Sequence, residues 1–253
     1  MIYQSFAQLY DQLFDPEMYQ KWEKFTIKNL PANTKSILDL AGGSGRLGVM
    51  LAARGFDVTV ADFSAEMLSI ADQHATEAGV SMNLLQADMR DLSALPQYDA
   101  ITCYADSFCY LDDAAAVQKT FNEIADHLKD NGVFLFDVIS PYQTDVIYPG
   151  YMFNYEDEDH QRAFMWQSFK DDDVEHGVIH ELAFFTRDND GRYDRVGETH
   201  YERACELPLL KQMLILLKWD QIFRLLSKKK NQHDGSLSVI NKESSHESSR
   251  DGC

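Results

Sequence analysis

Three aspartates each follow an apolar run near the start of the chain. Asp39 comes after Ser36-Ile37-Leu38, Asp62 after Val58-Thr59-Val60-Ala61, and Asp88 after Leu84-Leu85-Gln86-Ala87. Between the first two lies Ala41-Gly42-Gly43-Ser44-Gly45. Glycines at a strand-to-helix turn let the backbone fold tightly and approach a ligand closely. The helix that follows offers free N–H groups. An acid after the second strand can accept both hydroxyls of a ribose. Asp88 can accept from an exocyclic adenine amine, and its neighbour Met89 can pack on the base. Asp39 is placed to orient the first turn or to meet an ammonium group. Singly, each aspartate is explained by helix capping or turn formation; three in succession read as one nucleoside-binding edge.

Gly43-Ser44-Gly45-Arg46-Leu47-Gly48 matches the dinucleotide GxGxxG fingerprint literally. That fingerprint cradles a pyrophosphate, which a carboxylate at Asp39 would repel. A ligand carrying an ammonium and a sulfonium, as S-adenosylmethionine does, suits the same carboxylate. The residues therefore favour S-adenosylmethionine over NAD as cofactor.

The elements around these residues alternate. Ser36 to Leu40 is predicted as a strand, Leu47 to Arg54 as a helix, and Asp57 to Ala61 as a second strand. Ser64 is a good N-cap for a helix that Gly79 ends. Met82 to Gln86 and Tyr98 to Tyr104 are predicted strands. Val117, Phe121, Ile124 and Leu128 stripe a helix stopped by Asn131-Gly132, before a fifth strand, Val133 to Val138. Such alternation implies an α/β fold, a doubly wound, mostly parallel sheet covered on both faces. From Tyr142 the pattern changes. Ala163–Lys170, Val178–Arg187 and Tyr193–Arg203 read as antiparallel strands with acidic turns between them, then Leu207 to about Leu217 as a helix. The expected organisation is a helical cover over 1–30, a cofactor-binding core over 31–141 and 204–227, and an antiparallel insertion over 142–203 on the substrate side. The serine-rich segment 228–253 lacks periodicity and reads as a disordered tail.

The chain has 253 residues, with 23 lysines and arginines against 41 aspartates and glutamates, a net charge of −18. That field repels polyanions and counts against a nucleic-acid partner. No run approaches the ~20 apolar residues of a membrane span. The N-terminus has no basic and apolar leader pattern, so a cytoplasmic protein is expected. Cys103, Cys109, Cys205 and Cys253 form no CxxC pair, and no metal-ligand spacing is evident.

Ile37 to Gly45 resembles the first motif of class I S-adenosylmethionine-dependent methyltransferases, with Gly42 where cysteine is usual. Val60-Ala61-Asp62-Phe63-Ser64 resembles the second motif and Gln86-Ala87-Asp88-Met89 the adenine-binding one. Tyr98-Asp99-Ala100-Ile101 followed by Asp106-Ser107 resembles the fourth-strand region facing the donor methyl group. Tyr3-x-x-Phe6-Ala7-x-x-Tyr10-Asp11 resembles the N-terminal cover of a bacterial small-molecule subgroup. The resemblance spans about residues 1–205 and implies methyl transfer to nitrogen, oxygen or carbon of a small molecule. It places Asp39, Ala41, Gly42, Gly43, Gly45, Asp62, Phe63, Met67, Asp88, Met89 and Tyr104 at the cofactor, and Tyr10, Asp106 and His200 at the chemistry. Tyr104, Tyr110, Trp166 and His180 join the acceptor candidates, although a strand histidine or tryptophan is often simply structural.

The family continues with a sixth strand and an antiparallel seventh. Trp219 to Leu226 can be the sixth, and no seventh is evident, as if the tail were out of register. The rival readings are an NAD(P)-dependent oxidoreductase and an S-adenosylmethionine-binding protein without turnover. A homodimer is compatible with all of them.

Overall fold

The computed structural model describes residues 11, 16–216 and 236–241. The first full element is helix α1, Pro16–Asn29, which buries Trp22, Phe25 and Thr26. Proline is preset for a first helical turn, so Pro16 starts the helix. Then come β1 (Ser36–Leu40), α2 (Arg46–Ala53), β2 (Asp57–Asp62), α3 (Ala65–Ala78) and β3 (Asn83–Gln86). Ser64 caps α3 by accepting the Met67 N–H, and Gly79 closes it in the left-handed region. The series continues with β4 (Tyr98–Cys103), a short 3-10 turn (Ser107–Tyr110), α4 (Ala114–His127) and β5 (Leu128–Val138).

These five strands pair in parallel in the order β5-β4-β1-β2-β3. The chain builds outward from β1 to β3, then returns to the other side of β1 with β4. The reversal opens a crevice at the carboxyl ends of β1 and β4, where open α/β sheets hold their ligands. The strands other than the edge strand β3 are mostly buried: Ile37, Leu38, Val58, Val60, Ile101, Phe134 and Phe136 are all fully enclosed. Each such side chain contributes roughly 1.5–3 kcal/mol relative to exposure. Helix α1 adds Trp22 and Phe25 to the core packed with Ile37, Leu47 and Val58.

After a one-turn π segment (Gln143–Ile147) the chain forms a separate antiparallel sheet, β6 (Met152–Glu156), β7 (Arg162–Lys170), β8 (Gly177–Arg187) and β9 (Tyr193–Arg203), in that order. Helix α5 (Leu207–Leu216) returns to the main core through Leu210, Met213 and Leu214.

The sequence reading needs correction at three places. The helix before β5 stops at His127, not at Asn131-Gly132, and the chain is already extended from Leu128. Asn131 lies at φ 62° in the irregular stretch where the β4–β5 register shifts. Strand β6 was not anticipated, because all five of its residues are exposed and leave no burial periodicity. Within the segment read as patternless, Ser236–Asn241 forms β10, antiparallel to β5. Its Ser-Leu-Ser-Val alternates at the strand period, too briefly to stand out among polar neighbours. It is the antiparallel edge strand that the sequence reading lacked. The remainder of 228–253, Trp219 to Leu226, and most of residues 1–15 lie outside the described residues. Among the described residues, no helix is long and apolar enough to cross a membrane.

Candidate active site

The turn after β1 is the first wall of the crevice. A Cβ on Gly42 would sit 2.7 Å from Val60 Cγ1 and 2.9 Å from Asp39 Oδ2, so only glycine lets the loop pass over the aspartate. Gly45, at φ 70°, would press a Cβ to 2.7 Å from Ala71 Cβ. Ala41 and Gly43 also take left-handed backbone. Beneath the loop, Asp39 is buried at 3% exposure. Its Oδ1 accepts from Thr102 Oγ1 at 2.7 Å, while the buried Oδ2 makes no hydrogen bond. Burial, reinforced by the nearby Asp62 charge, pushes the Asp39 carboxyl up to about 7.

Asp62, at the end of β2, ties the loop together. Oδ2 accepts the Gly43 N–H and Oδ1 the Ser64 N–H, each at 2.8 Å. Burial raises its pKa despite these bonds. Next to it, Phe63 is 74% exposed, an aromatic ring on open surface at the crevice edge. Met67 is half-buried on the first turn of α3. Asp88 is gripped in a fork by Arg90, with contacts from 2.7 to 3.1 Å, and this holds its carboxyl below the ordinary range. Met89 is half-buried against the core.

The opposite wall follows β4. Tyr104 is buried: its ring stacks on Trp22 at 5.6 Å and its hydroxyl bonds Thr26 Oγ1 at 2.8 Å. Ala105 and Asp106 both take left-handed backbone, φ 59° and 56°. Consecutive non-glycine residues in that region store strain of the kind found at functional sites. The Asp106 N–H donates to Asp137 Oδ1 at 2.9 Å, and the buried Asp106 Oδ1 has no hydrogen-bond partner. Burial first, then the Asp137 and Glu202 charges, push the Asp106 carboxyl well above its usual range.

The second sheet completes the cleft. Ser168, His180 and His200 stand opposite one another across β7, β8 and β9, so they share a face. Two residues further along β9, Glu202 lies on that same face. His200 bonds Tyr110 Oη at 3.0 Å and Glu198 Oε2 at 3.2 Å, towards the rim. The buried position belongs to His180, which takes Trp166 Nε1–H at 3.1 Å on Nδ1. Tyr10 lies outside the described residues.

Several participants escaped the sequence reading. Asp11 accepts from Ser44 Oγ and from Arg46 through both oxygens, fastening the segment before α1 to the glycine loop. Its signal was the Tyr10-Asp11 pair. Asp137 showed itself only as a carboxylate inside the apolar run Val133-Phe134-Leu135-Phe136-Asp137-Val138. Glu202 showed itself only as the next inward position after His200. Tyr148 carried no signal, and reaches the cleft because the π segment turns it there.

Comparison with known proteins agrees with this architecture. Residues 37–132 match the model of a family described as a methyltransferase domain. YqeM of Bacillus subtilis, a methyltransferase by name, is 39% identical over 215 residues, covering 85% of each chain. A relative from Geobacillus sp. strain WCH70, likewise a methyltransferase by name, is 37% identical over 218 residues, 85% of this chain and 87% of the relative. Among solved structures, an S-adenosylmethionine-dependent methyltransferase from Clostridium acetobutylicum superposes with a TM-score of 0.78 at 30% identity, over 96% of this chain and 100% of that one.

Proposed function

The chain belongs to the class I S-adenosylmethionine-dependent methyltransferase family, and from that premise we propose that it moves a methyl group from S-adenosylmethionine to a small-molecule acceptor. The carrying observation is the buried Asp39 carboxylate at the switch point, with one oxygen unsatisfied under a loop only glycine can form. Such a carboxylate calls for a cationic ligand and repels a pyrophosphate.

In this reading Asp39 faces the ammonium end of the cofactor, and the backbone of Ala41, Gly42, Gly43 and Gly45 lies along it. The lone pairs of Asp62 not used by Gly43 and Ser64 receive the ribose hydroxyls. Phe63 and Met67 flank the adenine. Asp88 and Met89 close the far end, with Asp88 fixed by Arg90. The bound cofactor supplies a methyl group already activated on sulfonium. The protein's own residues then align the acceptor, exclude water and, where the acceptor must lose a proton, take it up. In this reading Asp106 and the inward face of the second sheet do that work, with His200 at its edge; Tyr10, expected at the chemistry, lies outside the described residues.

A small acceptor is supported by the net charge of −18, which disfavours a nucleic-acid substrate. Incubating the protein with methyl-labelled S-adenosylmethionine and a bacterial extract tests this. Label is expected in the dialysable fraction. Label confined to retained protein or nucleic acid would overturn the reading.

A further inference from the structure

Where the second sheet faces the loop after β4, several polar groups converge. The charges acting on Asp106 are those of Asp137 and Glu202, both carboxylates. The same carboxylates act on the buried Cys109 thiol. Tyr148, packed with Cys109, Ile139 and Ala204, lies within the influence of Asp106 and Glu202, and burial with those charges raises its hydroxyl pKa further. Its ring meets His180 edge-on at 4.8 Å.

His180 is 2% exposed. Its Nδ1 lies 2.7 Å from Ser168 Oγ and 3.1 Å from Trp166 Nε1. Its buried Nε2 makes no hydrogen bond and stands 3.5 Å from Glu202 Oε2. The cleft thus contains an unsatisfied ring nitrogen at His180 and an unsatisfied carboxyl oxygen at Asp106 Oδ1.

Resting on the methyl-transfer reading above, we propose that this cleft takes the methyl acceptor as an amine, its ammonium form held between the Asp106 and Glu202 carboxylates. A cation there neutralises acids that otherwise face one another in low dielectric, where unpaired charge is costly. A neutral alcohol satisfies Asp106 Oδ1 but leaves that repulsion in place. The ammonium gives one proton to Asp106, whose burial makes it a stronger base than an ordinary carboxylate. The freed nitrogen lone pair forms the new N–CH3 bond as the CH3–S bond breaks, and the breaking pair stays on sulfur. The positive charge moves to the methylated nitrogen, and the former donor leaves as a neutral thioether.

The test pairs amines with alcohols of the same skeleton: ethanolamine with ethylene glycol, cyclohexylamine with cyclohexanol, and glucosamine with glucose, within a broad panel. Each is assayed with labelled S-adenosylmethionine on wild type, Asp106→Asn and Glu202→Gln. S-adenosylhomocysteine affinity is measured on every sample as the control for folding and cofactor binding. Amines are expected to be methylated in preference to their alcohols. Asp106→Asn should cut kcat/KM for them by ~10²-fold or more, as loss of a general base does, with S-adenosylhomocysteine affinity within about twofold of wild type. Glu202→Gln should chiefly raise KM. Preference for alcohols, no amine turnover in samples that bind S-adenosylhomocysteine, or amine turnover indifferent to both substitutions would each overturn the amine proposal alone. Failure of wild type to bind S-adenosylhomocysteine would instead remove the methyl-transfer reading beneath it.

Discussion

Trp22 of α1 donates its indole N–H to Asp137 of β5 at 2.9 Å, across 115 residues of sequence. The other oxygen of the same carboxylate accepts the N–H of Asp106. One buried acid therefore fastens the covering helix, the sheet and the strained loop of the cleft. Trp22→Phe keeps an aromatic ring but withdraws the donor and some of the indole's volume, leaving a buried carboxylate oxygen unsatisfied and a small cavity beside it. The expected cost is ~1–3 kcal/mol in urea denaturation, the usual penalty for such a group. An unchanged midpoint would mean that this bond does not hold α1 in place.

Asp39 makes stability depend on pH with a defined sign. Its folded pKa, about 7, stands above the unfolded value near 3.8. Between those limits the folded state binds a proton that the unfolded state has lost, so stability falls as pH rises from about 4 towards 7. Asp62, Asp106 and Asp137 are raised by burial as well and act in the same direction. Asp39→Asn removes the charge and should stabilise the ligand-free protein at pH 8, on the order of 2–4 kcal/mol at ~1.4 kcal/mol per unit. At pH 5 the gain should be smaller. Thermal melts of both proteins across this range check the sign; an equal shift at both pH values would contradict it.

The glycine loop separates two kinds of cost. Gly43 and Gly45 both have positive φ, but a Cβ on Gly43 meets nothing within 4 Å, whereas on Gly45 it meets Ala71. Gly43→Ala should lose only the left-handed backbone penalty, ~1–2 kcal/mol. Gly45→Ala should lose a further ~1–3 kcal/mol by overpacking. It should also displace α3 and weaken S-adenosylhomocysteine binding. Equal losses would show that the loop yields at Gly45 more easily than its packing implies.

The first hundred residues of the sheet could be read from sequence because their information is local. Apolar runs, Ser64 as a cap and Gly79 as a stop each mark an element within a few residues. The three aspartates likewise sat beside their own strands. What was not legible depends on residues far apart. Glu202 and Tyr148 meet Asp106 only when the second sheet folds over the loop after β4. Asp11 and Arg46 meet across 35 residues of sequence. The surroundings of Tyr104 are set by α1, whose Thr26 lies 78 residues earlier in the sequence but adjacent in space. That His180 is buried while His200 lies towards the rim follows from sheet packing, which strand alternation alone does not reveal, since both residues point to the same face.

Calorimetric titration with S-adenosylhomocysteine, beside NADH, of wild type and Asp62→Ala tests the cofactor site most directly. Wild type should bind the adenosyl ligand in preference to NADH. Asp62→Ala, still folded by circular dichroism, should bind at least ~10-fold more weakly, because it loses both the ribose acceptor and the bond that shapes the loop at Gly43. A folded wild type that binds no S-adenosylhomocysteine, or an Asp62→Ala protein that binds it equally well, would contradict the account.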